Sequence, residues 1–167
     1  MPITRGVLRR YPNHNFVETG TYRGAALRLA RNIGFGSCWS CDINQASVDA
    51  ARADGFANTH CMPSPEFLAM ILPTLSGTIT FWLDAHPCVK PMDITLQTVP
   101  LLAELAAIRE HANDGPHTIL IDDMRVISFE HQTLLHGEIR RLWPPCEFRL
   151  WEDDLAPDDI LAVSLKP

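Results

Sequence analysis

Three aspartates end two runs of residues that have the composition of buried strands. Asp84 ends a predicted strand over 78–84, and Asp122 and Asp123 end another over 117–123. Parallel strands finish at the same edge of a sheet, so the three carboxylates are expected to lie close together. Unpaired carboxylates at such distances repel one another, and a divalent cation removes the conflict. Oxygen ligands with room for water favour Mg²⁺, or Ca²⁺ or Mn²⁺ in its place.

Each of these acids also has an ordinary structural interpretation. Asp123 is of a residue type that caps turns, and the carboxylate of Asp122 can hold backbone amides. His86 is the nearest candidate for a general base, because a neutral imidazole takes up a proton near neutral pH. Lys90 is the second candidate for that role. The alternative for His86 is a hydrogen-bonded structural histidine.

A glycine-containing loop follows the first predicted strand, over 15–18. The loop runs from Glu18 to Gly24, and Gly20 and Gly24 can adopt backbone conformations that other residues resist. Its spacing differs from the G-x-G-x-x-G of dinucleotide binders, and Glu18 would repel a pyrophosphate. The carboxylate suits a cationic ligand instead, such as one with an α-ammonium group and a sulfonium. The alternative is that Glu18 and the later strand-end residue Asp42 are ordinary strand-end acids.

Alternating strand-like and helical segments must position these residues, and they predict an α/β fold with a mostly parallel sheet. The chain shows no repeat or linker, so residues 1–167 are predicted to form a single domain. An acidic, solvated turn over 152–159 is expected to separate two final antiparallel strands. Seven strands are predicted, at 15–18, 38–43, 59–62, 78–84, 117–123, 146–151 and 160–165. Helices are predicted at 25–31, 44–53 with Asn44 as the cap, 64–72 with Ser64 as the cap, 95–111 and 129–142.

The strand, the acidic residue and the glycine loop together resemble class I S-adenosylmethionine-dependent methyltransferases. The resemblance implies a Rossmann-like, doubly wound, seven-stranded sheet with helices on both faces and a terminal antiparallel hairpin. It also implies that S-adenosylmethionine is the cofactor and that Asp42 accepts hydrogen bonds from both ribose hydroxyls. The methionine part would be lined by Glu18, Gly20, Thr21 and Gly24.

The segment after the third strand departs from the pattern of that family. Many members have an acidic residue there that contacts the adenine amino group, and this chain has Met62 and Ser64 instead. Met62 is expected to pack on the adenine face, and Ser64 is expected to supply a hydrogen bond. Asp84 completes the expected set of cofactor-binding residues.

Asp84 together with the Asp122–Asp123 pair resembles the metal site of catechol-type and small sugar-modifying O-methyltransferases. The resemblance implies a metal that lowers the pKa of a substrate hydroxyl and orients its oxygen toward the methyl group. The substrate is then expected to be a small hydroxylated molecule, a sugar or a phenol. The chain has no inserted lid, so residues 87–94 or a second copy in a homodimer are expected to cover the substrate.

The composition excludes several other classes of function. A formal net charge of −6 without a basic stripe argues against a nucleic-acid partner. The apolar runs are too short to span a membrane, and a cytoplasmic location is expected. The five cysteines are an odd number, as in reduced proteins. Cys38 and Cys41 form a C-x-x-C inside a predicted strand with no second pair, which favours structural thiols over a zinc or redox site.

Two other classes of function are compatible with the same residues. The first is a methyltransferase-like partner protein that binds the cofactor but has lost catalysis. The second is a metal-dependent hydrolase that uses the three aspartates. Binding of both S-adenosylmethionine and Mg²⁺ would oppose the first, and the chemical nature of the product would decide on the second.

Overall fold

The computed structural model describes residues 3–85, 95–96, 98–153 and 156–166. Its strands form one seven-stranded sheet in the order β3-β2-β1-β4-β5-β7-β6. The strands are β1 Asn15–Thr19, β2 Ser37–Asp42, β3 Thr59–Cys61, β4 Ile79–Leu83, β5 Thr118–Ile121, β6 Cys146–Asp153 and β7 Ala156–Leu165. The helices are α1 Arg5–Leu8, α2 Ala25–Ile33, α3 Gln45–Ala53, α4 Ser64–Ile71, α5 Leu101–His111 and α6 Phe129–Leu142.

The strand order confirms the predicted fold class. Strands β1 to β5 pair in parallel, and β7 pairs antiparallel with both β5 and β6. The order reverses at β1, which lies between β2 and β4, and ligands of open α/β sheets bind beyond such a point. Thr19 is in register with Cys41 on one side and with Leu83 on the other. The loops after these strands therefore leave the sheet at one level.

Helices cover both faces because alternate residues of the central strands point in opposite directions. Val17 and Phe81 belong to a core with the buried residues of α4, α5 and α6. Phe16 and Trp82, their chain neighbours, belong to a second core with α1, α2 and α3. Helices thus cover both faces of β1 and β4. A ligand is therefore expected to contact these strands at their carboxyl ends.

Two predicted helix starts are wrong. The helix expected from residue 95 begins at Leu101, because the Thr98 hydroxyl binds the N–H of Thr95 at 2.8 Å and holds a turn there. The expected cap Ser64 is instead the first residue of α4, and Pro63 precedes it as the cap. The short helix α1 was not predicted.

The predicted solvated turn over 152–159 is also wrong. Strand β6 continues to Asp153 and β7 begins at Ala156, so most of the segment belongs to the sheet. Asp159 is only 2% exposed and forms an ion pair with Arg125. A buried aspartate is stable in such a place because it has a cationic partner.

The C-x-x-C cysteines lie on opposite faces of β2. Cys41 belongs to the core beneath α4 and α5, and Cys38 packs against the core beneath α2. Burial raises the pKa of Cys38 to about 11 and that of Cys41 still further. The two thiols therefore share no site. In the part of the chain that is described, no helix is long and apolar enough to cross a membrane.

Candidate active site

Gly20 lets the loop after β1 pass directly against the end of β4. Its φ is +87°, and a Cβ at this position would lie 2.5 Å from the carbonyl oxygen of Asp84. The N–H groups of Gly20 and Thr21 both donate to the carbonyl of Cys41, at 2.9 and 3.0 Å. The loop therefore joins the ends of β2, β1 and β4, and only glycine allows this approach.

Asp42, the predicted ribose-binding residue, is fixed by two backbone amides. Its Oδ2 accepts from the N–H of Tyr22 at 2.7 Å, and its Oδ1 accepts from the N–H of Asn44 at 2.8 Å. Each carboxylate oxygen has a second lone pair, and the residue is half-buried. Asp42 can thus accept two further hydrogen bonds from a pair of ribose hydroxyls.

Tyr22 holds an unusual backbone conformation in the same loop. Its φ is +43°, a left-handed value that is uncommon for residues with a side chain, and its ring is 60% exposed. The bond to Asp42 holds this conformation in place. Strain of this kind is concentrated at ligand-binding sites in proteins.

Glu18 lies beneath the loop and is only 2% exposed. Its Oε2 accepts from the hydroxyl of Ser40 at 2.8 Å, and that hydroxyl lies 2.7 Å from the Oγ1 of Thr21. Burial raises the pKa of Glu18 well above its usual value. In this conformation the carboxyl positions the loop through Ser40. A direct contact of Glu18 with the cofactor stays a prediction.

The segment after β3 places only one of its two predicted residues near Asp42. The N–H of Met62 donates to the carbonyl of Asp42 at 3.1 Å, and the half-buried Met62 side chain packs against the core beneath α4. Ser64 is buried and faces Glu104. Ile43, directly after Asp42, is 80% exposed and was not among the predicted site residues. The feature of the sequence that could have identified Ile43 is an apolar residue just beyond the end of a strand.

The three aspartates come together as predicted at the ends of β4 and β5. Each offers a carboxylate oxygen, and these oxygens lie within 4.8 Å of one another. Burial, followed by the charge of Asp84, raises the pKa of Asp122 to about 7. The charge of Asp84 thus disfavours the ionised form of Asp122 at close range.

Asp123 has a cationic partner in Arg125. Nη2 of Arg125 lies 2.7 Å from the Oδ1 of Asp123, and the same guanidinium pairs with the buried Asp159 of β7. The premise of three unpaired carboxylates is therefore wrong for Asp123. Its left-handed backbone, with φ +55°, starts a 3₁₀ turn over Met124–Val126.

Glu104 of α5 is a further carboxyl at this edge that the sequence analysis missed. It is 1% exposed, and burial, with a contribution from the charge of Asp84, raises its pKa to about 7. A small cavity of about 30 Å³ is lined by Glu104, Asp84 and Asp122 together with apolar side chains. The feature of the sequence that could have identified Glu104 is its position on the buried face of α5, with Leu101 and Leu105.

The predicted bases His86 and Lys90 and the predicted cover over 87–94 lie outside the described residues. Their roles stay predictions.

Solved structures of methyltransferases share this fold. An O-methyltransferase from Bacillus cereus in complex with SAH has a TM-score of 0.64 at 14% identity, covering 97% of this chain and 78% of that one. A SAM-dependent methyltransferase from Archaeoglobus fulgidus has a TM-score of 0.63 at 12% identity, covering 98% and 95%. An rRNA methylase from Streptococcus thermophilus has a TM-score of 0.60 at 15% identity, covering 98% and 94%.

No protein-family model matches the chain, and a search of curated proteins finds no match. The structural likeness, at these identities, establishes the fold and not the reaction. The chain therefore has the fold of class I S-adenosylmethionine-dependent methyltransferases, and the resemblance seen in its motifs is confirmed at that level.

Proposed function

We propose that this chain transfers a methyl group from S-adenosylmethionine to an oxygen of a small hydroxylated molecule, a sugar or a phenol, with the help of a divalent cation. The observation that carries the proposal is a juxtaposition at the switch point of the sheet. A glycine loop bound to Asp42 lies against the end of β4, where Asp84 stands beside Asp122. The proposed site for a nucleoside cofactor would thus adjoin the acidic cluster.

The residues of the donor side suit the parts of S-adenosylmethionine. Asp42 has two lone pairs left for the ribose hydroxyls, and the exposed Ile43 offers an apolar surface to the adenine. Gly20 brings backbone rather than side chain to the place where the methionine part would lie. Met62 beside Asp42 supplies further apolar surface.

The residues of the acidic edge suit a hard divalent cation. Asp84 and Asp122 would be its principal ligands, because their mutual repulsion is what a cation would relieve. Asp123 would be the third ligand, although it shares its charge with Arg125. Mg²⁺, or Ca²⁺ or Mn²⁺ in its place, would lower the pKa of the acceptor hydroxyl and fix its direction. His86 is proposed as the base that takes the proton.

The proposal of a small acceptor rests on charge. Four carboxyl groups line the proposed acceptor side, and the net charge of −6 opposes binding to a polyanion. The fold does not decide this point, since an rRNA methylase shares it. A homodimer that covers the acceptor, and a cytoplasmic location, remain predictions from the sequence.

Transfer of a labelled methyl group tests the proposal directly. The chain is incubated with methyl-labelled S-adenosylmethionine and panels of catechols, phenols and sugars, with Mg²⁺ or with a chelator. We expect a methyl ether that forms with Mg²⁺ and is lost in chelator and in Asp84→Asn. Methyl transfer that continues unchanged in chelator would contradict the proposed role of the metal. Cofactor binding without transfer to any acceptor would favour a partner protein that has lost catalysis.

A further inference from the structure

Glu104 is a buried carboxyl that the proposed reaction does not use. It extends from α5 and lies among the hydroxyl of Thr19 in β1, the hydroxyl of Ser64 in α4 and the carboxylate of Asp84. Its side chain is 1% exposed. Three elements of the fold thus converge on one acidic group beside the proposed methyl acceptor.

The hydroxyls of Ser64 and Thr19 lie close enough to stabilise this carboxylate, yet one of its oxygens makes no hydrogen bond within the described part of the chain. Among the described residues, neither the Oε1 of Glu104 nor the Oγ1 of Thr19 makes a hydrogen bond. The neighbouring charge is that of Asp84, another carboxylate, which adds to the cost of burial. Buried polar atoms without partners are costly in a folded protein and call for an explanation. A donor with a positive charge would satisfy this oxygen best.

A small cavity beside Glu104 offers space for such a donor. The cavity it shares with Asp84 and Asp122 measures about 30 Å³, which is close to the share of one molecule in liquid water. Leu83, Leu101 and Ile121 give its walls their apolar character. An ammonium group, which is about the size of a water molecule, fits such a space.

We propose that Glu104 is a ligand-binding residue whose carboxylate takes the ammonium group of a bound small molecule. The proposal rests on the proposed function, since two molecules of that reaction can bring such a group. One is the amino-acid part of S-adenosylmethionine, and the other is an amine carried by the hydroxylated acceptor. Both present the same chemistry to Glu104, and the two sources are separated by experiment.

The first experiment uses calorimetry to measure the affinities of the parent and of Glu104→Gln for two nucleosides. S-adenosylhomocysteine carries the amino-acid part, and 5′-methylthioadenosine lacks it. If the cofactor is the source, the variant binds S-adenosylhomocysteine about tenfold more weakly or worse, the scale of a lost charged hydrogen bond. Its affinity for 5′-methylthioadenosine then stays unchanged.

The second experiment compares the affinities for amines with those for neutral analogues, with S-adenosylhomocysteine at saturation. Tyramine is compared with 4-ethylphenol, and glucosamine with glucose. If the acceptor is the source, the parent prefers each amine by about tenfold or more, and Glu104→Gln loses that preference. A parent that binds neither nucleoside contradicts the proposed function, while the amine experiment, then run without nucleoside, still decides on Glu104.

Controls separate ligand binding from folding. Glu110→Gln makes the same change at an exposed position of the same helix and is expected to leave every affinity unchanged. Glu104→Met keeps the approximate volume, removes both oxygens and should lose the same affinity as Glu104→Gln. Melting temperatures establish that each variant is folded. Affinities for all six compounds that match the parent in both Glu104 variants would overturn the proposal, as would a lower melting temperature with unchanged binding.

Discussion

Removing the charge of Asp122 is expected to stabilise the metal-free protein. Burial and the charge of Asp84 raise the pKa of Asp122 from 3.8 to about 7. Each step of one in pKa corresponds to about 1.4 kcal/mol, so ionising this group in the folded protein costs on the order of 4 kcal/mol. Asparagine keeps an acceptor oxygen for the N–H of Asp123, which donates to the Asp122 carboxylate. A net gain of about 2 kcal/mol is therefore expected for Asp122→Asn at pH 8.

The size of this effect depends on pH. The folded-state pKa lies above the unfolded value, so the stability associated with this group is fully present below about pH 4. That stability is lost as the pH rises through about 7. Melting in chelator between pH 4 and pH 8 should thus show Asp122→Asn falling less steeply than the parent.

Calorimetry or circular dichroism gives the size of the shift. For a chain of this length, about 2 kcal/mol corresponds to roughly 4–8 °C in melting temperature. Adding Mg²⁺ should then raise the melting temperature of the parent by mass action and leave that of Asp122→Asn nearly unchanged. The reasoning would be refuted if Asp122→Asn melted several degrees lower than the parent in chelator and Mg²⁺ left the melting temperature of the parent unchanged. Asp122 would then have a structural role.

Three further substitutions test the structure that supports the site. Gly20→Ala should destabilise the chain by about 2 kcal/mol or more in urea, because its Cβ would meet backbone at 2.5 Å, and an unchanged midpoint would contradict the close approach. Gly137→Ala, in open space within α6, should stabilise the chain by up to about 1 kcal/mol, measured in the same way. Arg125→Ala should lower the free energy of unfolding by about 2 kcal/mol, because the buried Asp159 loses its partner. Equal stability of that variant at pH 7 would show that the ion pair contributes nothing.

The sequence predicted the order of the elements and the placement of the strand-end acids well. Strand composition and turn residues are local signals, and parallel pairing then brings Asp42, Asp84 and Asp122 to one edge. Helix starts were less accurate, because side-chain bonds such as that of Thr98 to its own turn compete with helix formation.

Contacts between distant segments could not be predicted in this way. Arg125 meets Asp159 only because β7 inserts between β5 and β6. Glu104 carried a local signal, a charged residue on an apolar stripe, but its neighbours come from other elements. The burial of Glu18 depends likewise on Ser40 in the adjacent strand.

Asp42 is proposed to hold the ribose of S-adenosylmethionine, and calorimetric titration with that cofactor tests this role most directly. Asp42→Ala should bind about 1.5–3 kcal/mol more weakly than the parent, since two hydroxyls lose a charged acceptor. Asp49→Ala, an exposed aspartate on the following helix, serves as the control and should bind as the parent does. Unchanged affinity in Asp42→Ala would show that the cofactor does not bind at this site.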